Sequence, residues 1–280
     1  MNNKRILFLL INYFNEKEVA EFVSTQLGNQ LNEEVQVIII NNSYNDLTTL
    51  KELENKYSNV KVLNPEKNLG YFGGANYGLQ NYLKNNDFPN ATIICNTDIS
   101  FPDSDFISKF QTILNEKQFD ILGPDIYSTF LKYHQNPYIV KRISLQRIKL
   151  YKFITSNTFF YLLFTLLHFI KTKITKSNSK PKINQDMETY AIHGSFMVFN
   201  KSYFTKGGTI STPTFLFGEE LFVAETARKL GLKTIYEPSL IVNHFQNATT
   251  GTFKSASSVG YLHQSYSYLL ETFFNEKIVK

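Results

Sequence analysis

Asn68-Leu69-Gly70-Tyr71-Phe72-Gly73-Gly74-Ala75-Asn76-Tyr77-Gly78-Leu79 follows a short β-like segment, Val60–Leu63, and leads into an amphipathic stretch at residues 77–83. Four of the thirteen glycines fall within nine residues, at positions 70, 73, 74 and 78. Glycine tolerates positive φ and close approach to its backbone, so this cluster suits a turn wrapped around a ligand. The next apolar run, Ala91-Thr92-Ile93-Ile94-Cys95, ends in Asn96-Thr97-Asp98, which places an acid where a buried strand meets solvent.

Working outward, residues 6–11 and 34–40 are continuous β-branched or aliphatic runs, as expected for strands covered on both faces. Residues 16–31 between them read as a helix, with Val19, Phe22, Val23 and Leu27 at helical spacing. A second helix is expected at residues 48–57, entered through the capping residues Asn45 and Asp46. A strand at Val60–Leu63, a helix at 79–84 and a strand at 92–95 complete a β-α-β-α-β-α-β alternation. That alternation predicts an open α/β sheet. Ligands bind such sheets at the carboxyl ends of the strands. Here those ends are residues 12–15, 41–46, 64–74 and 96–98, rich in Asn, Asp and Gly, and they should meet on one edge.

Farther along, a helix is expected at 106–114, a strand at 121–123 and a strand at 189–199 carrying Gly194. A helix at Glu219–Leu230 closes at Gly231 and precedes short strands at 233–236 and 240–242. A terminal helix is expected at 261–274.

A length of 280 residues and a hydrophobic content of 42% suffice for a full core and argue against disorder as the main state. The single cysteine, Cys95, excludes an internal disulfide framework and a multi-cysteine zinc site, and fits a reducing compartment. The apolar run at 6–11 is shorter than a signal-peptide core, so the sequence reads as cytoplasmic. The net charge of +5 conceals a segregation. No acid lies between Asp125 and Asp186, a stretch holding eleven of the 29 basic residues, whereas the rest of the chain has 24 acidic against 18 basic. Within it, residues 159–170 are apolar almost all round, and twelve residues are too few to span a bilayer as a helix. Lys and Arg flanking such a run fit a helix lying in an anionic membrane interface. Burial against the terminal helix, or in a homodimer, is the competing reading. No nucleic-acid-binding motif accompanies the charge.

Asn96-Thr97-Asp98 resembles the metal-binding signature of nucleotide-sugar glycosyltransferases, commonly Asp-any-Asp. Together with Asn12-Tyr13-Phe14-Asn15, Ile40-Asn41-Asn42-Ser43-Tyr44-Asn45-Asp46 and the glycine run, it stands in the order and spacing of inverting family 2 enzymes. The rhamnosyltransferase-like branch that builds bacterial surface polysaccharides is the one it resembles. Ile192-His193-Gly194-Ser195-Phe196, Phe215-Leu216-Phe217-Gly218-Glu219-Glu220-Leu221 with Arg228 and Gly231, and Val242-Asn243-His244 continue the resemblance.

The resemblance implies a GT-A fold, an α/β architecture with a mostly parallel central sheet and flanking helices. Residues 1–125 would bind the nucleotide sugar, 126–187 form the basic insert, and 188–280 complete the acceptor side. It implies Asp98 as ligand of Mg²⁺ or Mn²⁺, Asn96 as its weaker neighbour and His244 completing the metal site or contacting diphosphate. Asn12, Tyr13, Asn15, Asn41, Asn68, Gly70, Gly73, Gly74 and Thr97 would surround a dTDP- or UDP-linked donor. Glu220 would be the general base and Glu219 would orient it or the acceptor; His193 is either acceptor-facing or structural. The acceptor would be a lipid-linked glycan at the inner face of the plasma membrane, with the protein peripheral there. The sequence departs from the family at Asn41, Asn96 and Glu220, each commonly Asp. Asn41 and Asn96 leave a non-catalytic nucleotide-sugar-binding protein as an alternative, and a nucleotidyltransferase-like protein could share the same sheet.

Overall fold

The computed structural model describes residues 5–43, 47–175, 181–245 and 255–274. The expected capping residues Asn45 and Asp46 lie outside these residues; Leu47 is the residue that precedes the helix.

The first half follows the expected alternation: β1 (Ile6–Asn12), α1 (Glu16–Glu21), β2 (Val35–Asn41), α2 (Thr48–Lys56), β3 (Val60–Leu63), α3 (Tyr71–Leu83) and β4 (Ala91–Cys95). β1 pairs in parallel with β2 and β4, and β2 with β3. Ile6, Phe8 and Leu10 point into one hydrophobic cluster while Leu7 and Leu9 point into the other. Two-sided burial is why these strands read as unbroken apolar runs. The expected helix at 16–31 is regular α only in α1; a π-helical turn, Phe22–Leu27, and a 3₁₀ turn, Gly28–Gln30, finish it.

After β4 come β5 (Ile99–Ser100), α4 (Phe106–Glu116), β6 (Ile121–Ser128), β7 (Tyr133–His134), α5 (Leu145–Thr155), α6 (Thr158–Thr175), β8 (Met187–Glu188) and β9 (Phe196–Asn200). Then follow α7 (Lys201–Thr205), α8 (Glu219–Leu230), β10 (Thr234–His244) and α9 (Ala256–Leu269), which runs into a π-helical turn, Leu270–Phe274. The sheet has the order β3-β2-β1-β4-β9-β6-β10-β5, with β7 on β6 and β8 on β10. β9 lies antiparallel to both β4 and β6, so the sheet is parallel through its first four strands and mixed beyond them. β5 leaves β4 and pairs with β10 instead, which curls the sheet around the Asn96–Asp98 turn.

Four expectations are corrected. The glycine run is not a loop before a helix at 79–84: α3 starts at Tyr71, so Gly73, Gly74 and Gly78 are helical. Helical glycine costs about 1 kcal/mol against alanine. It is retained where the helix lies close on the sheet, Gly74 facing Ile11 and Ile40, and Gly78 facing Leu9 and Ile40. The strand expected at 189–199 forms only from Phe196, because residues 193–195 turn into the site. The strand expected at 121–123 continues to Ser128, four of its residues pairing with the end of β10. The two strands expected at 233–236 and 240–242 are one strand, β10, broken in register between Glu237 and Ile241 where Pro238 offers no N–H.

Gly70 fixes how the halves meet. It sits at φ +74°, ψ −169°, and a Cβ there would collide with the Phe215 carbonyl. Gly70→Ala should lower stability by about 1–3 kcal/mol from the backbone conformation alone, with further loss from the collision. Urea unfolding of the two proteins measures this.

Candidate active site

The polar strand ends meet on one edge, as expected. Asn41 Nδ2 donates to Asn64 Oδ1 (3.2 Å), and Asn12 Nδ2 lies within donating distance of Asn41 Oδ1 (2.8 Å) and Glu16 Oε1 (2.8 Å). Asn15 Nδ2 reaches Thr97 Oγ1 at 3.0 Å, which joins β1 to the turn after β4. Asn12 and Asn41 are buried, so this row frames the edge. Tyr13 and Phe14, by contrast, are 52% and 61% exposed just beyond β1, with Phe14 at φ +57°. Asn68 Oδ1 accepts from Gly70 N (2.9 Å), and Asn42 Nδ2 donates to the Gly70 carbonyl (2.9 Å). The start of α3 is thereby tied to β2.

Asp98 is gripped through its backbone. Asn96 N donates to the Ser195 carbonyl (2.9 Å) on one side, and Phe245 N to the Asp98 carbonyl (2.9 Å) on the other. Its Oδ1 is buried and has no hydrogen-bond partner among the described residues, while His244 Nε2 lies 3.3 Å away. His244 Nδ1 is 2.8 Å from Gln135 Oε1. An unprotonated Nε2 in this position would present a second acceptor to Asp98. Two acceptors facing one another require a proton or a cation between them. Adjacent corners of an octahedron with bonds of 2.0–2.1 Å lie about 2.9 Å apart, a few tenths of an ångström inside the observed 3.3 Å. Asp98 and His244 therefore fit two positions of a divalent cation. Among the described residues no cluster of three or more His, Cys, Asp or Glu offers a fuller protein cage.

Gln135, buried just after β7, is the site residue that sequence reading missed. Its Nε2 lies 3.4 Å from His193 Nε2, so one amide bridges both histidines. His193 is held from the other side by Ser195 Oγ, 2.9 Å from Nδ1, and by Tyr138, edge-on at 5.4 Å. Nothing local in the sequence marks Gln135, because only pairing across the sheet gives it its partners.

The second group of charges lies at the start of α8, after Phe217 (φ +71°) and Gly218 (φ +85°). Glu219 is buried and accepts from Phe217 N (3.0 Å). Burial first, then the charge of Glu220, pushes its carboxyl up to about 8, against the two backbone N–H groups that stabilise the anion. Glu220 is half-buried, and its carboxylate lies on Gly194: a Cβ at that position would stand 2.8 Å from Oε1. Glu220's charge is the first cause, ahead of burial, that pushes up the Tyr138 phenol. Tyr71 donates to the Gly194 carbonyl (3.2 Å), and its pKa is raised by burial, then by Cys95, Glu219, Asp98 and Glu220. The strand-end acid and the α8 acids thus gather around Tyr71 and Gly194.

A comparison with protein-family profiles matches residues 9–207 to Glycosyl transferase family 2. The chain belongs to that family. Solved structures similar in fold include GalNAc-T7 with UDP, GalNAc and Mn²⁺ (TM-score 0.59, 12% identity, 98% of this chain and 49% of that one). The mannosyltransferase PcManGT from Pyrobaculum calidifontis, in complex with GDP-Man and Mn²⁺, matches with TM-score 0.51, 14% identity and coverage of 96% and 73%. TarS 1-349 of S. aureus in complex with UDP-GlcNAc matches with TM-score 0.54, 10% identity and coverage of 94% and 66%. The chain spans about half the length of GalNAc-T7 and about three quarters of the mannosyltransferase. Comparison with curated protein sequences finds none that matches. The fold is that of the GT-A glycosyltransferases, with a curled mixed sheet.

Two outcomes follow for this family 2 chain. Removing the outer partner of a metal-bound histidine typically weakens metal affinity about 10–100-fold. Were His244 a ligand of Mn²⁺, Gln135→Leu should weaken Mn²⁺ binding in the presence of UDP, read by electron paramagnetic resonance, while Gln135→Glu, which still accepts from Nδ1, should retain it. For Glu219, the folded state holds more protons than the unfolded state between 4.5 and about 8. Its contribution to stability is full below 4.5 and is lost as pH rises through about 8. Melting temperatures should accordingly fall less steeply over that window in Glu219→Gln than in the wild type.

Proposed function

We propose that this glycosyltransferase moves a sugar from a nucleoside-diphosphate sugar to a hydroxyl of a glycan acceptor, with inversion at the anomeric carbon. The observation that carries this reading is the convergence of Asp98 with His244 on one side of the cleft and Glu220 on the other, spanned by Gly194 and Tyr71.

Asp98 and His244 would hold Mg²⁺ or Mn²⁺, with diphosphate oxygens and water completing the octahedron. The ion would neutralise negative charge developing on the departing diphosphate. Neighbours in fold carrying UDP or GDP-Man together with Mn²⁺, and UDP-GlcNAc, support a donor of this class. Asn12, Asn15, Asn41, Asn96 and Thr97 shape the donor edge, and Tyr13 and Phe14 offer exposed rings to the base. Asn68, Gly70, Gly73 and Gly74 bring the start of α3 to the same edge.

Glu220 would take the acceptor proton. It is the more accessible of the two acids, and Gly194 leaves it room. Glu219, turned back onto Phe217 N–H, fixes the entry into α8. His193, reached through Gln135 and set against Tyr138, faces the acceptor side. Inversion requires the acceptor oxygen, as it gives its proton to the base, to attack the anomeric carbon opposite the departing diphosphate, so a base set apart from the metal-binding acid is what direct displacement needs. The resemblance to rhamnosyltransferase-like enzymes makes a lipid-linked glycan of a bacterial surface polysaccharide our proposed acceptor, and the inner face of the plasma membrane the proposed location.

Glu220→Gln should keep donor affinity and lose about 10²–10⁴-fold in kcat. Asp98→Asn should remove Mn²⁺-dependent stabilisation by nucleotide sugars in a thermal-shift screen of UDP-, dTDP- and GDP-sugars. Unchanged turnover in Glu220→Gln would exclude it as base, and Mn²⁺-dependent shifts retained in Asp98→Asn would exclude the metal assignment.

A further inference from the structure

α5 and α6 leave a large apolar surface uncovered. On α6, Phe159 is 67% and Leu167 57% exposed, and Phe160, Leu163, Phe164 and Leu166 are exposed with them. At 3.6 residues per turn the exposed apolar positions sweep roughly 200° of the helix circumference, far more than a single buried stripe would need. Phe153, at the end of α5, stacks on Phe160 at 5.2 Å and extends the same surface. Exposed Lys149 stands one turn before Phe153 on α5, and exposed Lys141 and Arg147 lie near the start of that helix, all in the stretch of chain that holds no acid.

Among the described residues no single helix is long and apolar enough to cross a membrane. The two helices are bent by 117°. The apolar run at 159–170 extends about 18 Å, against roughly 30 Å of hydrocarbon. A short apolar helix with basic flanks suits the plane of the lipid interface.

The pair is also fastened beside the α8 acids. Arg142, just before α5, binds Glu225 of α8 through both carboxylate oxygens (2.7 and 2.9 Å). Tyr138, which senses Glu220, precedes it by four residues. Tyr151 of α5 lies on Tyr266 of α9 with ring centres 5.3 Å apart.

We propose that α5–α6 is a docking surface for an anionic lipid bilayer, holding the Glu220 side of the cleft at the membrane. Arg142, Lys152 and Lys182 already pair with Glu225, Glu271 and Asp125, and the exposed Lys141, Arg147 and Lys149 favour an anionic lipid over a second copy carrying the same charges. This rests on exposure and charge, independently of the transfer chemistry proposed above.

Co-sedimentation of the full chain with phosphatidylcholine vesicles, with and without phosphatidylglycerol, tests it. The wild type should bind the anionic vesicles preferentially. Lys141→Gln with Lys149→Gln should weaken that binding by about fivefold per charge, as should high salt. Phe159→Ser with Leu163→Ser and Phe164→Ser should weaken it more than about a hundredfold while circular dichroism and melting stay close to wild type. Sedimentation velocity without lipid should show a monomer. Absent binding by the wild type, equal binding to both vesicle types, equal binding by all three proteins, or a dimer that the triple variant dissolves would each overturn the proposal.

Discussion

The site depends on backbone pairing to either side of Asp98. Before it, β4 runs antiparallel to β9 with Cys95 opposite Phe196; after it, β5 runs antiparallel to β10 with Ile99 opposite His244. The first pairing brings His193–Ser195 beside the turn, and the second brings His244. These pairings fix the backbone of the turn, and with it the place where Asp98 Oδ1 meets His244 Nε2 at 3.3 Å. The cost of leaving such an atom unpaired is largest in a dry site, which is also where a cation or proton placed against it acts most strongly. The change from parallel to antiparallel pairing at β9 is therefore what joins the donor edge to the acid-bearing helix.

The donor edge is built largely of amides. Asn41 accepts from Asn12 and Ser43 and also donates to Asn64. An aspartate, the commoner residue in the family it resembles, could not make that last bond when ionised. The asparagine row thus couples β3, β2 and β1 through neutral groups, while Glu16 and Glu18 take up the remaining donors from Asn12, Asn15 and Thr97. Pairing within the row leaves the exposed rings of Tyr13 and Phe14, more than the amides, as free surface on this edge.

Local periodicity carried the first half of the fold into view. Strands buried on both faces advertise themselves as apolar runs, and the polar strand ends, Asp98 included, stood out by contrast. Glu219–Leu230 was legible at both ends, from its paired acids to Gly231 in the left-handed conformation. What stayed hidden is set by contacts distant in sequence. The glycines of α3 look like a turn because their compensation, close packing on Ile40 and Leu9, lies on other elements. Gln135 carries no local signal at all, and the late start of β9 follows from His193 and Gly194 being drawn into the cleft.

Two adjacent acids in unlike surroundings acquire unlike roles. Glu219 is enclosed, and its raised pKa keeps it largely protonated at neutral pH, so it can close the α8 entry without adding a second charge beside Glu220. Were both ionised, each would raise the other's proton affinity. The phenols of Tyr71, Tyr138 and Tyr266 are all pushed up in part by Glu220, so they remain neutral around it. Arg142 is held on Glu225, buried about one and a half turns further along α8, where Tyr190 and Arg228 complete the hydrogen bonds. That clamp ties the position of the helix, and with it the position of Glu220, to the chain leading into α5 and α6.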